Sequence, residues 1–152
     1  ILLKPGKLTF EEFEEMKKHT EYGRDAIMQA ESMLGSDNSF LSLAREVAYS
    51  HHEKWDGSGY PLGRFGNDIP ISGRLMALAD VFDALISKRV YKPPFPLPRV
   101  QSIIKEGRGA HFDPELVDAF LVKAETFRQI GISYADTDEE RQSLEQGYGE
   151  QA

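Results

Sequence analysis

Two adjacent imidazoles, His51 and His52, head the run His51-His52-Glu53-Lys54-Trp55-Asp56-Gly57-Ser58-Gly59-Tyr60-Pro61. Successive side chains at a helix end point roughly 100° apart, so such a pair reaches two metal ions, or one ion and a molecule bound beside it. Taken without its surroundings, a His-His pair also reads as a plain helix cap. The Asp-Gly-Ser-Gly-Tyr-Pro segment that follows cannot continue a helix, because its glycines and proline favour tight turns, and it predicts a shaped loop beside the imidazoles. Two further candidate ligands lie elsewhere. His19 by itself reads as an ordinary surface or core histidine. Asp80 sits inside Leu78-Ala79-Asp80-Val81-Phe82, where burial would be costly without a neutralising cation or hydrogen-bond donors, and either partner satisfies it. Asp56 could ligate a metal, but the following Gly57 makes a turn cap the simpler role.

The elements that must carry these residues read as helices. Thr9 and Glu12 have capping-box spacing, and apolar positions from Phe10 to Ile27 predict one helix over Phe10–Leu34. Gly35-Ser36-Asp37-Asn38 is a turn signal, after which Phe40, Leu43, Ala44, Val47 and Ala48 recur at helical spacing up to the histidines. Residues 53–70 are predicted irregular. A third helix is expected from Ser72 to about Lys88, with Asp80 and Asp83 three apart on one face. The proline-rich Pro93–Pro98 segment reads as an extended connector, Val100–Ile104 as a short helix stopped by Gly107, and Asp113-Pro114 as the start of a last helix.

Composition narrows the chemistry. A chain of 152 residues accommodates one domain with a core. It has no cysteine, which excludes disulfides and thiolate sites and leaves imidazole and carboxylate as ligands, suited to iron, manganese, zinc or magnesium. The net charge of −7 is concentrated at the end: after residue 132 six acids face one base, whereas nineteen acids and seventeen bases precede it. That near-neutral body lacks the basic face duplex nucleic acid requires. The acidic stretch 133–152 shows no apolar stripe and is expected to be a mobile tail. No apolar run is long enough to span a bilayer and no signal-peptide pattern is present, so a cytoplasmic location is the default expectation.

The signature His-His-Glu-x-x-Asp-Gly-x-Gly-Tyr-Pro, with the ordered blocks Lys4-Pro5-Gly6-Lys7-Leu8, His19-Thr20 and Ala79-Asp80-Val81-Phe82-Asp83-Ala84-Leu85, resembles the HD-GYP family of the HD phosphohydrolase superfamily. The resemblance covers residues 1–120 and implies an all-α, HD-domain-like bundle, of which about five helices are expected here. It implies hydrolysis of the cyclic dinucleotide c-di-GMP with two or three divalent metal ions, iron or manganese foremost and magnesium, nickel or zinc as others. Carried over residue by residue, it assigns His19, His51, His52 and Asp80 to the metals, with His52 and Asp80 catalytic. It assigns Arg89 and Lys92 to substrate phosphates. Lys88 is divided between that role and complementing the helix dipole. Tyr60 is implied in shaping the substrate site, and the Gly59-Tyr60-Pro61 loop also in docking a GGDEF-type cyclase domain, two uses that stay open. His111, within Gly109-Ala110-His111-Phe112-Asp113-Pro114, is implied as a structural joint.

The family's His-Asp doublet, expected upstream of the Lys-Pro-Gly block, is absent, since no His here precedes an Asp. The reading is therefore an N-terminally truncated catalytic domain over 1–132, with an incomplete ligand set and no activity by itself. The alternative is a degenerate HD-GYP module that binds c-di-GMP or docks a cyclase without catalysis. An HD hydrolase acting on other nucleotides fits the metals but not the Gly59-Tyr60-Pro61 loop.

Overall fold

A computed structural model describes residues 4, 6–34, 39–89 and 92–146. It is helical, as expected, with seven α-helices and no strand among the described residues. The chain forms two compact units, Ile1–Met76 and Ala77–Ala152.

In the first unit, α1 (Phe10–Lys17) opens on the predicted capping box, in which the Thr9 hydroxyl accepts the Glu12 N–H at 3.2 Å and Glu12 accepts the Thr9 N–H at 2.7 Å. The single helix expected over Phe10–Leu34 is broken at Lys18, whose N–H turns back to the Glu15 carbonyl at 3.2 Å. Two side chains sustain the break: Thr20 Oγ donates to the Lys17 carbonyl at 2.9 Å, and His19 Nδ1 meets the Met16 carbonyl at 2.6 Å. From there α2 (His19–Leu34) runs antiparallel to α3 (Ser39–Ser50), with Arg24 over the Tyr49 ring at 4.3 Å and Glu31 paired with Arg45 at 2.9 Å. The predicted turn at Gly35-Ser36-Asp37-Asn38 lies outside the described residues. Beyond α3 the chain is irregular as predicted, save one 3-10 turn, Gly66–Asp68. Among its described residues, this unit fully buries a single hydrophobic side chain, Ile69, while Phe10, Met33 and Phe40 are 74%, 84% and 73% exposed.

The second unit holds an apolar core. From α4 (Ile71–Ile86) come Leu78, Phe82, Leu85 and Ile86, which pack with Leu97, Val100 and Ile104 of α5 (Leu97–Glu106) and with Val117, Phe120 and Ala124 of α6 (Pro114–Ser133). Phe82, Phe120 and Phe127 meet edge to face with centroids 5.0 to 5.8 Å apart. The Asp113 carboxylate caps α6 by accepting the Glu115 N–H at 2.9 Å. α5 begins at Leu97, inside the expected connector, because Pro98 occupies the first turn, where its missing N–H costs nothing.

The acidic stretch after residue 132, expected without a packing role, contains α7 (Asp138–Glu145). A second capping box, Thr137 with Glu140, starts it, and Leu144 is wholly buried in the core. One anchor in eight residues makes no visible stripe, which is why periodicity missed it. Gly131 of α6 makes room for that anchor, since a Cβ there would lie 2.9 Å from both the Leu144 and the Ile86 Cδ1 atoms. The tail from 147 onward lies outside the described residues.

Candidate metal centre

Three of the predicted ligands come together. His19 begins α2, His51 and His52 follow the end of α3, and the antiparallel pairing of those helices brings them into one group whose ligand atoms all lie within 4.8 Å of one another. The orientation of two rings is fixed from behind. His19 Nδ1 donates to the Met16 carbonyl at 2.6 Å, and His51 Nδ1 donates to the Val47 and Ala48 carbonyls at 3.0 and 3.1 Å. Carbonyls only accept, so in the neutral rings both protons sit on Nδ1 and both Nε2 atoms carry lone pairs. Those two Nε2 atoms face each other at 3.4 Å. Two lone pairs at that separation repel unless a cation lies between or beside them, and backbone-anchored imidazoles with convergent Nε2 atoms are the donor set that divalent metals take. The residues therefore fit a metal.

The third ring is positioned by the loop. Tyr60 stacks on His52 with centroids 4.8 Å apart and planes 26° from parallel, and the Tyr60 N–H donates to the His52 carbonyl at 3.1 Å. This fold-back brings two stretches of backbone into contact at Gly59, where a Cβ would lie 2.3 Å from the Lys54 nitrogen and 2.5 Å from the His52 oxygen. Only glycine fits there. The Tyr60–Pro61 peptide is cis. Beneath the loop lies Glu53, 2% exposed, whose two carboxylate oxygens accept the Leu62 N–H at 2.8 Å and the Arg64 N–H at 3.0 Å.

Sequence reasoning gave Glu53 no role. The signal that could have found it is a carboxylate at the mouth of a Gly/Pro-rich loop, whose amides have no helical or sheet partners and need an acceptor. Asp56 takes its simpler role: the Ser58 hydroxyl and N–H both donate to it, at 2.6 and 2.9 Å, and these bonds, the hydroxyl's foremost, hold its carboxyl below the usual range. The aromatic side chains of the loop are unequally exposed. Phe65 is 63% exposed, but Trp55 is half-buried beside the Arg74 guanidinium and Tyr60 is half-buried against His52.

The remaining predicted residues belong to the second unit. Asp80 and Asp83 share the exposed face of α4, whose buried face is Leu78, Phe82, Leu85 and Ile86. The expectation that Asp80 is buried, and for that reason needs a cation or hydrogen-bond donors, is thus overturned: it is exposed and lies off the apolar stripe. Lys88 Nζ pairs with Glu139 at 2.5 Å, the leading cause of its raised pKa, and the Lys88 N–H donates to Glu140 at 2.6 Å. Arg89 and Lys92 form an antiparallel bridge and exchange backbone hydrogen bonds at 3.0 and 3.1 Å. His111 lies flat on Phe112, centroids 4.3 Å apart, at the joint before α6.

Comparison with known proteins agrees with this geometry. Residues 1–116 match the family described as the HD domain. The chain is similar to a probable cyclic di-GMP phosphodiesterase of Vibrio cholerae, 54% identical over 90% of this chain and 31% of the relative. It is 57% identical to a second Vibrio cholerae protein, named cyclic di-GMP phosphodiesterase, over 90% of this chain and 27% of that one. A third Vibrio cholerae protein, named 3'3'-cGAMP-specific phosphodiesterase 2, is 45% identical over 90% of this chain and 25% of its own length. The chain thus spans less than a third of the curated relatives it matches.

Proposed function

Since this chain belongs to the HD domain family, in its HD-GYP branch, we propose that it forms part of a metal-dependent phosphodiesterase that opens a 3'–5' phosphodiester bond of c-di-GMP. The observation that carries this reading is the opposed pair of Nε2 atoms, 3.4 Å apart, each anchored from behind by backbone carbonyls. His19, His51 and His52 would hold the metal, with Asp80 as a carboxylate ligand, and iron or manganese suits that oxygen and nitrogen set. A bound divalent cluster activates water and offsets the negative charge that grows on the phosphate oxygens.

This chain's own residues have separable tasks. The Met16, Val47 and Ala48 carbonyls keep the His19 and His51 protons on Nδ1 and their lone pairs toward the metal. Tyr60 limits rotation of the His52 ring and borders the substrate. Arg89 and Lys92 bind the dinucleotide phosphates, and Lys88, committed to Glu139, contributes less. The setting is cytoplasmic, and the catalytic region runs over 1–132.

The test compares this chain with the full-length natural protein. Full-length protein supplied with iron or manganese is expected to convert c-di-GMP to the linear dinucleotide or GMP, whereas this chain alone, with half of a ligand set, is expected to be inactive. His51→Ala, His52→Ala or Asp80→Ala in the full protein should abolish turnover. Running 3'3'-cGAMP in parallel discriminates between the substrates named for the relatives. A full-length protein that binds the dinucleotide, or a GGDEF domain, without turning it over would establish the binding-module alternative.

A further inference from the structure

The Arg89–Lys92 bridge is gripped on both sides by α7. Before Arg89, Glu140 Oε1 accepts the Lys88 N–H at 2.6 Å, while its Oε2 accepts the N–H groups of Asp136 and Thr137 at 2.9 and 3.2 Å. One carboxylate thus starts α7 and ties off the end of α4. The Lys88 ammonium is held by Glu139 at 2.5 Å. After Lys92, Ser143 Oγ donates to the Pro94 carbonyl at 3.1 Å, and the next residue, Leu144, is wholly buried. Glu140 and Ser143 are three apart and share a helical face. Between the two grips, Arg89 and Lys92 form a directly opposed antiparallel pair, which sets their side chains on the same side of the ladder. If packing were the whole purpose of α7, Leu144 would suffice. Its Glu140 and Ser143 side chains instead bond Lys88 and Pro94, which lie on either side of the opposed cations.

We propose that α7 is a clamp on an anion-binding pair, with Glu140 and Ser143 as positioning residues that hold Arg89 and Lys92 side by side for the phosphates of the dinucleotide. The clamp rests on the phosphodiesterase reading above. It assigns Lys88 to the clamp and leaves phosphate binding to the opposed pair.

The experiment measures KM and kcat for c-di-GMP in the full-length natural protein, with equilibrium Kd for the dinucleotide as the readout if there is no turnover. The variants are Glu140→Ala, Glu140→Gln, Ser143→Ala and Arg89→Ala, and the double variant of Glu140→Ala with Arg89→Ala. Glu140→Ala should raise KM about tenfold with kcat within about twofold of the parent, and Glu140→Gln, which keeps one acceptor oxygen, should restore part of the loss. Because Glu140 acts through the bridged pair, its loss should add nothing once Arg89 is gone. An unchanged KM in Glu140→Ala, where Arg89→Ala raises it, overturns the clamp and leaves the phosphodiesterase reading standing. A KM unmoved by Arg89→Ala overturns the clamp, since no phosphate role is left to position, whereas a parent that neither turns over nor binds c-di-GMP overturns the phosphodiesterase reading. Should Glu140→Ala fail to fold, Ser143→Ala decides: a KM rise of about threefold that vanishes in the Arg89→Ala background supports the clamp, and an equal effect in both backgrounds overturns it.

Discussion

Replacing Glu53 by Gln perturbs the loop beside the metal centre without touching a ligand. In the parent, one carboxylate that is 2% exposed accepts two backbone N–H groups, from Leu62 at 2.8 Å and Arg64 at 3.0 Å. Glutamine keeps one acceptor oxygen and turns an NH2 group toward the other amide, so one charge-assisted bond is lost and one buried donor is left without an acceptor. Bonds to charged groups are worth about 1.5 to 3 kcal/mol, which corresponds to opening of the loop about tenfold to a hundredfold more often. Amide hydrogen exchange followed by NMR reads this residue by residue. In Glu53→Gln the Leu62 or the Arg64 amide should exchange faster by that factor, and in Glu53→Ala both should. The Gly66 amide, bonded to the Trp55 carbonyl at 2.9 Å in the same loop, serves as the internal reference. If both variants fold and neither amide exchanges faster, the loop does not hang on this carboxylate and the reasoning is refuted.

Metal uptake should depend on the anchored histidines: His51→Ala or His19→Ala is expected to weaken divalent-metal binding by this chain about tenfold to a hundredfold, read by elemental analysis after desalting and by competitive titration. The matched control is Lys54→Ala, which leaves the three imidazoles in place and should bind as the parent does. At Gly59 the close backbone approach makes alanine costly, so Gly59→Ala should destabilise the first unit by about 2 to 4 kcal/mol, seen as lost helical signal in circular dichroism at lower denaturant. The Glu140 carboxyl is held below its usual value of 4.5, first by the Lys88 N–H and further by the Thr137 and Asp136 N–H groups, against the opposing effect of burial. Its contribution to stability is therefore complete above pH 4.5 and lost as pH falls through the lower folded value. Denaturation of Glu140→Gln should show a flatter acid limb than the parent, and superimposable acid limbs would count against the buried node.

The histidine cluster was legible because ligand chemistry belongs to few residue types and the turn beside it is written in glycine and proline. Thr9 with Glu12, and Asp113 with Pro114, announced two helix starts for the same local reason. What escaped depends on partners distant in the chain or on side chains acting against local preference. The break at Lys18 has no glycine or proline to announce it, only His19 and Thr20 taking up the carbonyls. Lys88 meets Glu139 across 51 residues, and no spacing rule reaches that far. Asp80 is a different kind of miss. The interval from Leu78 to Phe82 and Leu85 already put it off the buried stripe, but its apolar neighbours in sequence were read as neighbours in space.

That Ile69 is the single fully buried hydrophobic side chain among the described residues of the first unit has a calorimetric consequence. Heat capacity of unfolding follows the apolar area exposed, so a half whose apolar residues are mostly half-buried contributes less to it, and most of the cooperative heat absorption of this chain is expected from Ala77–Ala152. The half that carries the imidazoles is ordered by caps, ion pairs and helix propensity, forces that are salt-sensitive and weakly cooperative. In such a framework an ion shared by His19 and His51, which are 32 residues apart, is a cross-link. Unlike a disulfide it holds only the folded arrangement, so the loaded first unit should melt at a higher temperature, a shift that chelation erases.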